Sequence, residues 1–182
     1  MKATEHGVLI FAFASNIGAN HPITFPARLH GVFCIGSADG LGTQSTFNPP
    51  FQGEEKYSAL GEAVSAACPK NLSLKPGYDP STGTIRRDGT STATVVAAGT
   101  AALLIDYTRQ FMDGKAAGTY ESMRKLFIDM SKATVGKDYR YLAPWYFFGA
   151  GREPKAYIRN VLSIPAGLRT QCQLEITSSR IR

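Results

Sequence analysis

The chain has 182 residues, 43% of them hydrophobic and 19% charged, which is enough for one domain with a sizeable core and unlike the composition of a disordered segment. Its formal charge of +6 lies in the C-terminal part: residues 1–107 hold 7 Lys and Arg against 8 Asp and Glu, and residues 108–182 hold 13 against 6. No segment offers the roughly 18 uncharged apolar residues of a membrane helix, and Cys34, Cys68 and Cys172 are odd in number and widely spaced, so reduced thiols are expected rather than a disulfide framework or a CxxC metal pair.

In chain order, the opening "MKATEHGVLIFAFAS" puts Glu5 and His6 ahead of a short apolar run, a poor secretory signal, so an intracellular location is expected. The residues before Gly7 read as the last turns of a helix closed by glycine, where a crossover helix would feed a parallel strand. The expectation is a chain that begins within a helix. "GVLIFAFA" (7–14) and "GVFCIG" (31–36) are continuous apolar runs too short for helices, and they predict buried parallel strands. "EAVSAA" (62–67) is a weaker third run, followed by a Gly- and Pro-rich loop from Lys70 to Asp88. Residues 92–105 carry no charge and are rich in Ala, Val and Leu, which predicts a helix buried on every side. Tyr120, Met123, Phe127 and Met130 recur at helical spacing and predict an amphipathic helix on the same core. These elements predict an α/β domain with a parallel sheet around a buried central helix.

Ser91, in "IRRDGTSTATVVAAGTAALL", stands where this helix begins. A hydrolytic serine needs a fixed hydroxyl, a base to take its proton and donors for the developing oxyanion. Gly89 permits close backbone approach, and the first helical turn offers unpaired N–H groups at the positive end of the dipole. A serine that only caps the helix satisfies the same pattern. A G-x-S-x-G elbow does not fit: "YDPSTGTIRRD" does not read as a strand, and Ala93 occupies the second glycine position.

"DGTSTATVVAAGTAALL" resembles the serine motif of the subtilisin-like proteases, the subtilases, at Gly89, Thr90, Ser91, Ala93, Thr94, Gly99, Ala102 and Leu103, with Val95 where the family has Pro and Val96 where His is common. "GVLIFAFASNIGAN" resembles the family's strand ending at the oxyanion asparagine, which falls on Asn16. "ITFPARLHGVFCIGSAD" and "YSALGEAVSA" are similar to the segments that follow, with Leu60 in place of a proline. The resemblance covers about residues 5–111. It implies a partial subtilisin-like fold, Ser91 as nucleophile, Asn16 as oxyanion donor with support from Gly89 and Thr90, and a substrate pocket walled by Phe13, Ala14 and Ser15. Phe25-Pro26 is a candidate cis peptide in the loop lining that pocket.

The family orders its triad Asp, His, Ser, and neither the D-[ST]-G nor the H-G-T motif occurs here. His6, His21 and His30 read as solvent-facing or structurally satisfied residues. The expectation is the C-terminal half of a subtilase catalytic domain, inactive by itself, with its Asp and His in a missing N-terminal half. Residues 112–150 read as an extension packing on the core, with Trp145 and its neighbours against it. Their "MRKLFIDMS" and "YRYLAPWYFF" are similar to the tails of intracellular fungal subtilase-like domains, often parts of larger proteins. Residues 151–182 form a tail of no assigned structure, and Asn71-Leu72-Ser73 is a glycosylation sequon in form only.

A polypeptide substrate, and other domains of a larger parent, are the expected partners. No cofactor is assigned; calcium occurs in the family, but no dense Asp and Glu cluster places it. The alternative class is a non-catalytic interaction module on a subtilase scaffold. A third, nucleic-acid binding through Arg124, Lys125, Lys132, Lys137 and Arg140, is disfavoured because these cations are scattered among acids.

Overall fold

The alternation of side chains along residues 31–36 builds the centre of the sheet. In the computed structural model Val32 and Cys34 point to one side of strand β2 (Val32–Ala38), and Phe33 and Ile35 point to the other; all four are buried. The structure describes residues 6–18, 21–50, 57–69, 75–113, 116–133, 140–149, 151 and 153–163. The first five residues, Asn71 of the sequon, Lys137, Cys172 and the tail beyond 163 lie outside them.

β1 (Ile10–Phe13) pairs in parallel with β2, Ile10 opposite Val32 and Phe13 opposite Ile35. β3 (Tyr57–Leu60) pairs in parallel with β2 on its other side, Ile35 opposite Tyr57. This third parallel strand is a short segment that the sequence reading did not separate from the run after it. That run forms β4 (Val64–Ala67), which lies in a second, antiparallel sheet with β6 (Thr84–Arg87) and β5 (Tyr78–Asp79) in the order β4-β6-β5. Ser65, Ala66 and Ala67 are exposed, so β4 is a surface strand. β5 and β6 also correct the reading of "YDPSTGTIRRD" as free of strands. The chain turns through Ser81, whose N–H and hydroxyl donate to Asp79 Oδ1 (2.9 and 2.6 Å) and hold that carboxyl below its usual range.

Helix α1 (Thr90–Arg109) crosses the sheet, burying Ala93, Ala97, Ala101, Leu104 and Thr108 at spacings of three and four. The opposite side is open: Val95 is 72% exposed and Leu103 55%. The expected burial on every side is therefore corrected to burial on one side. α2 (Tyr120–Met130) is capped by Thr119, whose hydroxyl accepts from Ser122 N–H (3.2 Å), and it buries Met123, Leu126, Phe127 and Met130. The Phe127 ring meets those of Phe33 and Tyr57 at 5.3 and 5.4 Å.

β7 (Ser131–Ala133) and β8 (Arg140–Leu142) complete the main sheet in the order β1-β2-β3-β8-β7, with β8 parallel to β3 and β7 antiparallel to β8. The short α3 (Trp145–Phe148) and α4 (Pro154–Ser163) close one end of the core through Phe147, Ile158 and Val161. Trp145 itself is 54% exposed, its ring 5.9 Å from that of Tyr141, so Phe147 rather than Trp145 is the aromatic that fills the core. The other face of β1 and β2 is covered by Ile23, Ala27 and Leu29. Among the described residues no helix is long and apolar enough to cross a membrane.

Candidate active site

The C-terminal ends of β1, β2 and β3 converge on the first turn of α1. At the end of β1, Ala14 N–H donates to Ile35 O (3.0 Å), and the Ala14 carbonyl accepts from Thr24 N–H (3.1 Å) and Thr24 Oγ1 (3.2 Å). Ser15 follows with φ 145, a conformation that L side chains rarely adopt and that typically costs about 1–3 kcal/mol. This bend turns the chain out of the strand, and Asn16 is the next residue.

Asn16 reaches the start of α1. Its Oδ1 accepts from the Thr90 N–H (2.8 Å) and from Thr90 Oγ1 (2.9 Å), a helix cap supplied from 74 residues away in sequence. The residue at the cap position is Gly89, which makes no side-chain capping bond, and Ser91 is the second residue of the helix. Ser91 is therefore not the cap, and its side chain is exposed. With Oδ1 committed to Thr90, the carboxamide orientation is set and Nδ2 lies on the side of Gly89: a Cβ at Gly89 would come within 3.1 Å of it. Gly89 has φ 147 as well, so both space and backbone conformation require glycine there.

Gly61 ties the sheet to the helix start. Its N–H donates to Ala38 O (2.9 Å) and its carbonyl accepts from Gly89 N–H (2.8 Å). A Cβ at Gly61 would meet Ser37 Oγ, Gly89 O and the Ala93 Cβ, the last at 2.9 Å. On the other flank Asp88 Oδ1 accepts from Ala63 N–H, anchoring β4 beside the approach to Ser91. Behind β2, Ser37 is fixed by Asn48, whose Oδ1 accepts from Ser37 N–H (2.9 Å) and whose Nδ2 donates to Ser37 O (2.7 Å). Gly61 and Thr24 are the positioning residues that sequence reading missed. The glycine of "YSALGEA" was visible only as a motif position, and nothing local marks Thr24.

Of the expected pocket wall, Phe13 is 47% exposed, whereas Ala14 and Ser15 are buried. The Phe25-Pro26 peptide is cis, in the segment that Thr24 fastens to β1. Cys34, the buried thiol on β2, is pushed up to about 12 by burial and stays protonated, so it is no rival nucleophile.

No hydrogen bond joins Ser91 to a histidine among the described residues. His6 lines a groove that runs along α1 from Ala98 to Arg109, seven to eighteen positions beyond Ser91 and so about 10 to 27 Å from it along the helix. The His30 ring lies 6.0 Å from that of Tyr120, just ahead of the N-terminal end of β2, whereas Asn16 follows the C-terminal end of β1. His21 is exposed on the segment after Asn16.

The profile of the subtilase family matches residues 1–151. No match is found among curated proteins. Solved structures similar to the chain include the prenylagaramide maturation protease PagA, with a TM-score of 0.62 and 23% identity over 89% of this chain and 53% of that one. The self-cleaved protease domain of PatA is similar with a TM-score of 0.58 and 26% identity over 88% and 52% of the two chains. The PatG macrocyclase in complex with peptide gives 0.60 and 23% over 90% and 46%. The chain spans about half the length of the solved structures it matches. With the family profile covering most of its sequence and the strand–asparagine–helix arrangement in place, the chain belongs to the subtilase family.

Proposed function

We propose that this chain is the serine-bearing part of a subtilisin-like endopeptidase, with Ser91 as nucleophile and Asn16 as oxyanion donor, and that the histidine and aspartate of the triad come from outside this sequence. The observation that carries the reading is the Asn16 carboxamide, oriented by two hydrogen bonds at Thr90 beside an exposed serine in the first turn of a helix. In the reaction, Ser91 Oγ attacks the peptide carbonyl carbon while a histidine takes its proton. The carbonyl oxygen becomes an oxyanion that accepts from Asn16 Nδ2 and Ser91 N–H, each such donor typically stabilising the transition state by about 3 kcal/mol. The same histidine then protonates the leaving amine, and water releases the acyl group from Ser91.

A polypeptide substrate fits the exposed Phe13 ring at the rim, and the similar PatG macrocyclase is known in complex with peptide. Without a base, Ser91 at its ordinary acidity is a weak nucleophile, so the chain alone is nearly inactive. The alternative of a non-catalytic scaffold is favoured by one observation: among the described residues no histidine is hydrogen-bonded to Ser91. Prolonged reaction with a fluorophosphonate followed by peptide mapping separates the two. Label is expected on the tryptic peptide spanning 88–109 and none after Ser91→Ala; equal labelling of the variant removes Ser91 as nucleophile.

A further inference from the structure

β6 runs directly into the candidate nucleophile: after Arg87 come Asp88, Gly89, Thr90 and Ser91. Four residues of extended chain span at most about 14 Å, so Arg87 stays close to Ser91. Its backbone is fixed there, because Val64 is its partner across the strand pair and the Asp88 carboxylate accepts from Ala63 N–H. Alternation along β6 puts Arg87 on the face of buried Ile85 and Arg86 on the opposite face, with Ser65. Both arginines are exposed, and among the described residues neither makes an ion pair. The neighbouring strand does not cover them, since Ser65, Ala66 and Ala67 of β4 are small and exposed themselves. Helix α1 brings its positive end to the same place, with no acid in its first turn. Of the two acids in the segments joined here, Glu62 is half-buried and Asp88 is turned to Ala63 N–H. Arg87 also stands on a definite side of Ser91. Gly89 has Asn16 Nδ2 beside it on the side of β1 and donates to Gly61 O on the side of β3, from which β4 and β6 follow. Phe13, on β1, is thus across the site from Arg87.

We propose that Arg87 selects polypeptides that carry an aspartate or glutamate just after the scissile bond. This deepens the reading of Ser91 as nucleophile and rests on it. With the residue before the scissile bond at Phe13, the leaving part of the peptide runs toward β6. At about 3.3 Å per residue its first two or three residues pass Arg87. A carboxylate there pairs with the guanidinium, whose planar fork matches it in two hydrogen bonds, whereas a lysine or arginine meets like charge. An exposed pair of this kind gives a preference of only a few-fold, and salt screens it.

The test uses aryl phosphonates and the full chain. Ser91 attacks at phosphorus: the Oγ–P bond forms, the aryl oxide leaves with the electron pair of its own P–O bond, and added imidazole takes the hydroxyl proton. One pair of reagents differs only in its leaving group, para-carboxyphenoxide against neutral para-carbamoylphenoxide. A second pair places the same two charges on the group that stays on phosphorus. Each rate of labelling at Ser91 is divided by the rate of that reagent with imidazole alone. A preference of about threefold for the carboxylate leaving group is expected at low salt, lost at about 1 M salt. It should be absent in Arg87→Gln and inverted in Arg87→Glu, and Arg86→Glu, on the other face of β6, should keep most of it. Arg87→Gln keeps the test valid if the charge reversal fails to fold. No preference in the unsubstituted chain, or one that the Arg87 variants leave unchanged, overturns the proposal. So does an equal response of the second pair, or an equal effect of Arg86→Glu, either of which would mean a general field around Ser91. No labelling at Ser91 with any reagent removes instead the nucleophile reading, and the proposal with it.

Discussion

At the scale of single residues, the orientation of one carboxamide governs the candidate site. Thr90 donates twice to Asn16 Oδ1, and this leaves Nδ2 as the donor on the side of Gly89. Asn16→Asp separates capping from catalysis: the carboxylate still accepts from Thr90 and suits the helix N-terminus, so the melting temperature is expected to hold. Fluorophosphonate labelling of Ser91 in the presence of imidazole should fall roughly a hundredfold with loss of the oxyanion donor, and unchanged labelling would exclude Asn16 from that role. The buried Cys34 thiol, pushed up to about 12, should resist iodoacetamide at pH 8 in the native chain and react only on unfolding, as followed by mass mapping. Its sign on stability is equally definite. The folded protein holds the thiol proton more tightly than the unfolded chain, so this contribution is complete below the ordinary value of 9.0 and is lost as pH rises toward about 12. Ser91 and Asn16 were legible because their motifs are long and ordered. The Thr90 bridge was not, because a hydrogen bond across 74 residues leaves no local trace.

At the scale of elements, the junction of β2, β3 and α1 depends on Gly61. Gly61→Ala places a Cβ against Ser37 Oγ, Gly89 O and Ala93 Cβ, atoms held by backbone or core packing. A loss of about 1–3 kcal/mol in chemical unfolding is expected, whereas Val95→Ala on the exposed stripe should change stability by no more than about 0.5 kcal/mol. A result in the reverse order would mean that the helix is seated the other way round. β1 and β2 could be read from their apolar runs because both faces of those strands are covered. β3 escaped notice because Tyr57–Leu60 is only 4 residues long and its Ser58 breaks the run. The β5 and β6 pair escaped because Arg86 and Arg87 are both exposed, which removes the alternation that marks a half-buried strand. In α1 the sequence and the fold disagree in a different way: residues written for burial on two sides are buried on one.

For the whole molecule, that disagreement and the unanswered serine occupy the same surface. Among the described residues the main sheet ends at β1, Val95 and Leu103 of α1 lie open, and Ser91 in the first turn of the same helix has no histidine bonded to it. A nucleophile short only of its base should respond to a base supplied from solution, since Ser91 is exposed. The rate of fluorophosphonate labelling of the isolated chain, measured as the imidazole concentration is raised at fixed pH and ionic strength, tests this most directly. The rate should climb in proportion to neutral imidazole, with the label on Ser91 and no response in Ser91→Ala. A rate that stays flat as imidazole is added, or rises equally in Ser91→Ala, would contradict it.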